Sequence, residues 1–182
     1  MSTEERLLAT DTTTAVINVP IARVDLADWL FHLSDAEYQR CAPGEHLAAG
    51  ATTADDGRPI SINVEQVGEA FFVQHYVPED LGPHHCVMVS QTDVITPRGR
   101  TKIQITWELS AQANGDDRST YTNKVSAHAT DEFLSFLDDA GISVAHGAAE
   151  RQDNMTAHNR LETPLFAKSI ERRALSTHVS GG

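Results

Sequence analysis

INVPIARVDLADWLFHLSDAEY, residues 17–38, closes a strand and opens a pair of short helices. The strand is TTAVINVPI, residues 13–21: β-branched residues favour extended backbone, and a proline stands near its end. VDLADWLFHL follows with apolar side chains at Val24, Leu26, Leu30, Phe31 and Leu33, a spacing that suits a helix. Ser34 then starts a second helix. Its hydroxyl can accept from free backbone N–H groups, and Glu37, three residues on, can reach back in a capping box.

Downstream the hydrophobic period changes to two. HLAAGATTA, RPISINVEQV, EAFFVQHYV, HHCVMVSQTDVI, TKIQITWELSA and STYTNKVSAHA follow one another, separated by DDG, Gly68, PEDLGP, TPRGR and NGDDR. Each separator is rich in turn formers, so six strands with short connections predict an antiparallel meander. TKIQITWEL alternates cleanly, with Ile103, Ile105, Trp107 and Leu109 on one face and Lys102, Gln104, Thr106 and Glu108 on the other. TDEFLSFLDDAG predicts a compact helix with Thr130 as N-cap, acids in its first turn and Gly141 past its end. A long final helix is expected from about Ala145 or Gly147 to Leu175, with Pro164 inside it.

The order strand, two short helices, six antiparallel strands and a long last helix resembles the Bet v 1-like, or START/SRPBCC, helix-grip superfamily. The resemblance covers residues 12–175 as one domain and implies an α+β fold. In that fold a curved seven-stranded antiparallel sheet wraps around the C-terminal helix and leaves a cavity between them. Residues 1–11 and 176–182 are expected to be flexible. The superfamily includes lipid and hormone binders, polyketide cyclases, the catalytic domains of Rieske oxygenases and zinc-dependent carbon–carbon hydrolases acting on acylated phenols. The resemblance therefore implies a pocket for a small, largely apolar molecule without choosing a chemistry.

Composition narrows the classes. The 182 residues carry a formal charge of -12, which repels nucleic acid phosphates and anionic membranes. The N-terminus lacks the pattern of a secretory signal, and no apolar run approaches the roughly 18 residues that span a bilayer, so a cytoplasmic protein is expected. Cys41 and Cys86 have neither metal-site nor framework spacing and read as reduced thiols. Nucleophile-elbow, phosphate-loop, dinucleotide-turn and HExxH motifs are absent. A homodimer is compatible with the sequence, although no heptad pattern asks for one.

HNRLETPLF, residues 158–166, puts His158 and Glu162 one helical turn apart, on a face with Met155 and Phe166. Such a pair can share a metal ion, or the carboxylate can orient the imidazole as a general base. The zinc-dependent hydrolases use a His and a Glu one turn apart on their last helix, and HNRLE is similar in that respect. Strand parity adds His75, grouped with Phe71, Val73 and Val77, as an acid/base candidate, and Trp107, Tyr121, Asn123 and Gln91 as ligand-binding candidates. His84 and His85 open the next strand, where only one of them can face a cavity. The bland alternative turns His158 and Glu162 to solvent and makes the other histidines surface or structural groups. Three functional readings stay open: a binder of a hydrophobic or aromatic metabolite that needs no cofactor; a hydrolase, lyase or cyclase on such a ligand, with His158 and Glu162 as acid/base pair or zinc ligands; and a protein-interaction module.

Overall fold

The structure, a computed structural model, describes residues 6–176. Its elements follow as β1 (Leu7–Ile17), a 3-10 turn (Ile21–Arg23), α1 (Leu26–Phe31), α2 (Asp35–Cys41), β2 (His46–Thr53), β3 (Pro59–Val67), β4 (Ala70–Leu81), β5 (His85–Thr96), β6 (Gly99–Ala113), β7 (Ser119–Ala129), α3 (Asp131–Asp139) and α4 (Val144–Ser176). The strands form one seven-stranded antiparallel sheet in the order β1-β7-β6-β5-β4-β3-β2. The expected helix-grip architecture is present: the sheet is the wall and α4 is the element it grips.

Local chemistry explains the boundaries. Asp25, Ser34 and Thr130 each accept a backbone N–H with the side chain, at 2.9, 3.3 and 3.1 Å, and so start α1, α2 and α3. The Glu37 carboxylate turns away from its own helix end to Arg40 and Arg172, so only half of the expected capping box forms. Two residues, Gly68 and Glu69, join β3 to β4. Gly68 has φ 61°, a conformation that suits glycine, and a Cβ there would come within 3.1 Å of the Asn154 side chain on α4. The hairpin tip thus sits against the last helix.

β1 begins at Leu7, inside the stretch expected to be loose, because Leu7–Ile17 pairs along β7. Residues 1–5 and 177–182 of the expected flexible ends lie outside the described residues.

The core fills the concave side of the sheet. Ile103, Ile105, Trp107 and Leu109 of β6 all point inward, as the alternation predicts. Trp29 of α1 meets Phe166 of α4 edge-on at 5.3 Å between ring centres, and its indole N–H donates to Ser169 Oγ at 3.0 Å. Those contacts tie the first helical pair to the last helix. Two parity readings are corrected. On β4 the inward set is Phe72, Gln74 and Tyr76, so His75 is exposed on the outer face. Both parities of FFVQHYV carry aromatic rings, which left the alternation without a direction. On β5 Met88, Ser90 and Thr92 point inward, and Gln91 lies outside, donating to Gln104 at 3.1 Å.

Leu109→Ala, which empties a fully buried position, is expected to destabilise the protein by about 2–5 kcal/mol in urea unfolding. Thr106→Ala, on the outer face of the same strand, is expected to stay within about 0.5 kcal/mol.

Candidate functional site

His158 and Glu162 lie on the buried face of α4, in the middle of the helix. Because α4 carries few apolar residues there, its packing face is built from Asn159, Thr163 and these two groups. Each needs a partner from the sheet. Asn123 of β7 supplies the central tie: its amide nitrogen donates to Glu162 Oε1 at 2.9 Å and to Asn159 Oδ1 at 2.7 Å, while its oxygen accepts from the Trp107 indole at 2.7 Å. With Oε1 engaged, Glu162 presents Oε2 to two imidazoles. His46 Nε2 is 3.1 Å away and His158 Nε2 3.4 Å.

His46, the first residue of β2, has a fixed tautomer. Its Nδ1 stands 2.8 Å from the Tyr38 carbonyl oxygen, which can only accept, so Nδ1 carries a proton. The ring also stacks on Tyr38, 3.7 Å between centres and 3° from parallel. Nε2 is therefore the atom directed at Glu162. His158 is held in the same way, with Nδ1 2.5 Å from the Glu45 carboxylate and Nε2 facing Glu65 and Glu162, each at 3.4 Å.

Glu65 completes the group from β3. It accepts from Gln74 at 2.9 Å through Oε1 and from the Tyr38 hydroxyl at 3.0 Å through Oε2, and that Oε2 lies 3.9 Å from His46 Nε2. Four elements thus converge on one point: α2 through Tyr38, β2 through His46, β3 through Glu65, and α4 through His158 and Glu162.

Electrostatics follow from this crowding. Burial disfavours a charged imidazole at His158, yet the carboxylates of Glu162 and Glu65 outweigh it and push its pKa up to about 12. Burial likewise opposes ionisation of Glu162, but His158 above all holds it down at about 2. Glu65 is lowered as well: burial works against its charge, and His158 overcomes it. Tyr38 and Tyr76 move the other way, since burial and then the Glu65 and Glu162 charges keep both phenols protonated.

The cluster forms one end of a cavity of about 170 Å³ between sheet and α4. Val67, Phe72, Ile105, Trp107 and Phe133 supply apolar wall, and Met155 and Phe166 line it from the helix. Tyr121 and Asn123 also point inward but stand behind the wall, Tyr121 in the solid core and Asn123 under Glu162. His75 and Gln91 are remote from it on the outer face, while His84 and His85 are surface groups, His85 bridging Asp80 and Glu108.

His46, Glu65 and Glu45 were not among the sequence candidates. Apolar-inward logic turns Ile60, Ile62 and Val64 to the core, whereas the structure buries Ser61, Asn63 and Glu65. A polar inner row on a strand that is not at the sheet edge is the signal that something other than ordinary apolar core lies beneath.

No family model and no curated protein sequence matches the chain. Solved structures do. The Zhui aromatase/cyclase from Streptomyces sp. R1128 superposes with a TM-score of 0.58 at 13% identity, covering 95% of this chain and 98% of that one. The di-domain aromatase/cyclase StfQ of the steffimycin biosynthetic pathway gives 0.61 at 10% identity over 94% of this chain and 54% of that one. The fold is the Bet v 1-like, START-type helix grip. The chain spans about half the length of the di-domain proteins StfQ and BexL, 54% and 50%. No helix among the described residues is long and apolar enough to cross a membrane.

The pair's contribution to stability has a defined pH window. His158, raised from 6.5 to about 12, contributes fully below pH 6.5 and loses that contribution as pH rises through the folded value. Glu162, lowered from 4.5 to about 2, contributes fully above pH 4.5 and loses it as pH falls toward 2. Urea midpoints of metal-free protein should therefore fall on both sides of pH 4.5–6.5. In the double variant His158→Gln/Glu162→Gln that dependence should be visibly flatter; an unchanged profile would show that the pair is not coupled as described.

Proposed function

We propose that the chain is a zinc-dependent hydrolase acting on a small, largely apolar aromatic molecule that carries a carbonyl group. The observation that carries this reading is the orientation of the two imidazoles. Each holds a partner through Nδ1, a backbone carbonyl for His46 and a carboxylate for His158, and each turns Nε2 toward the same pair of buried carboxylates. That is the arrangement by which proteins orient metal-ligating histidines.

The donor set fits zinc. Ligand atoms of His46, His158 and Glu162 lie within 4.8 Å of one another, and the Glu65 carboxylate stands beside them. Three nitrogen and oxygen donors suit a tetrahedral site whose fourth position stays open to water or substrate, with Glu65 as the neighbouring acceptor, and a divalent cation would offset the excess of buried negative charge. When bound, zinc supplies Lewis acidity toward a carbonyl oxygen and makes a coordinated water more acidic.

The other residues have definable tasks. Asn123 and Gln74 keep Glu162 and Glu65 from rotating, because each occupies one carboxylate oxygen. Tyr76, held protonated on the cavity wall, is a donor for a substrate oxygen. Trp107 and Phe72 give flat apolar surface for an aromatic ring. Acylated phenols, the substrates of the hydrolases to which HNRLE is similar, combine such a ring with such a carbonyl. Binding of a hydrophobic or aromatic metabolite in the cavity is the first step of this reading and also stands without it.

Elemental analysis of purified protein should find close to one zinc per chain, and His46→Ala and His158→Ala should each lose it. Chelation should abolish hydrolysis across a panel of acylated phenols, with zinc restoring it. Full activity in a zinc-free preparation, or neither zinc nor hydrolysis, overturns the proposal.

A further inference from the structure

The cavity has a second polar end. Arg151 lies on α4 in line with Met155, His158 and Glu162, at spacings of four, three and four residues, and all four line the same cavity. At 1.5 Å of rise per residue the Arg151 and His158 backbones are roughly 10 Å apart along the helix.

Arg151 differs from the paired arginines. Arg6, Arg40, Arg58, Arg100, Arg172 and Arg173 meet carboxylates at or near the surface. Arg151 lies over the Phe133 ring, its guanidinium carbon 4.7 Å from the ring centre, and no described residue accepts from its buried Nε. Phe136, Leu137 and Ile142 complete an apolar surround. Besides the buried Glu65, His158 and Glu162 of the other end, the charged groups that line this cavity are Glu69, Glu150 and Arg98, all exposed, and none of the six forms an ion pair with Arg151. Burial pulls its pKa down, with adjacent Glu150 the opposing influence. A half-buried guanidinium whose Nε is buried without an acceptor and which meets no carboxylate is an arrangement that an anion would relieve through charge-assisted hydrogen bonds.

We propose that Arg151 is the anion-binding end of the cavity, and that the ligand is an elongated aromatic molecule bearing a carboxylate or similar anionic group remote from the His158–Glu162 end. Its anionic end follows from the cavity alone; its carbonyl end rests on the hydrolase reading above. The polarity of the cavity fixes the direction of entry. The buried carboxylates Glu65 and Glu162 repel an anion from one end, and Arg151 attracts it to the other.

Two fluorescent probes of nearly the same ring system separate charge from shape: 1-anilinonaphthalene-8-sulfonate, an anion, and N-phenyl-1-naphthylamine, which is neutral. Arg151→Met should weaken the anionic probe about 10-fold or more, the scale of one charge-assisted pair, while leaving the neutral probe within about 2-fold. Arg151→Lys should recover part of the loss. Met155→Trp, which fills the cavity between the two ends, should weaken both probes. Equal losses of both probes in Arg151→Met, no loss of the anion, or probe binding untouched by Met155→Trp overturns the proposal. Absence of binding by either probe overturns it together with the ligand cavity. Zinc content is read separately, so a zinc-free chain with Arg151-dependent anion binding would sink the hydrolase and leave this site standing.

Discussion

An ionised carboxylate taken out of water costs several kcal/mol unless charge and hydrogen bonds replace the lost hydration. The chain buries two of them side by side, Glu65 and Glu162. Much of the polar interior answers that cost. Asn123, Gln74 and the Tyr38 hydroxyl donate to the carboxylates, and His46 and His158 stand against their remaining oxygens. Those partners come from α2, β2, β4, β7 and α4, so the position of the last helix is tied to the register of several strands. An apolar core of equal volume would hold the same elements together at lower electrostatic cost. The buried charge is therefore not what the fold needs for its stability.

The architecture was legible in the sequence because it rests on period and punctuation. Ile103 to Leu109 alternate without ambiguity, Ser34 and Thr130 cap where they should, and the strand count follows from turn chemistry. Half of the site was legible too, since His158 and Glu162 are four apart on one helix and need only the helical period to be brought together. The other half depends on pairings between distant segments. His46 reaches Glu162 across 116 positions of sequence, and Glu45 reaches His158 across 113. Local periodicity carries no information about such contacts.

The failures of parity share a physical cause. Alternation tells which residues lie together, and apolarity is then used to choose the inner set. In a sheet that encloses a polar site the rule inverts: β3 turns Ile62 and Val64 partly outward and keeps Asn63 and Glu65 inside. On β4 the same inversion places Gln74 inward to support Glu65 and leaves His75 outside. The two strands share one arrangement because they are paired neighbours, with Asn63 opposite Gln74 and Ile62 opposite His75.

The polar ends of the cavity also divide the work of α4 along its length. Around His158 and Glu162 the helix is pinned to the sheet through Asn159, Thr163 and Asn123. Toward Arg151 it rests on α3, where Gly147 lets the backbone approach Leu137; a Cβ there would come within 3.3 Å of that side chain. Gln152, next to Arg151, adds two hydrogen bonds to Thr10 of the edge strand β1, donating to its carbonyl at 2.9 Å and accepting from its N–H at 3.0 Å. The helix is therefore fastened near both polar ends, by buried side chains beneath Glu162 and by an exposed pair beside Arg151, and the water-screened pair is the weaker of the two restraints.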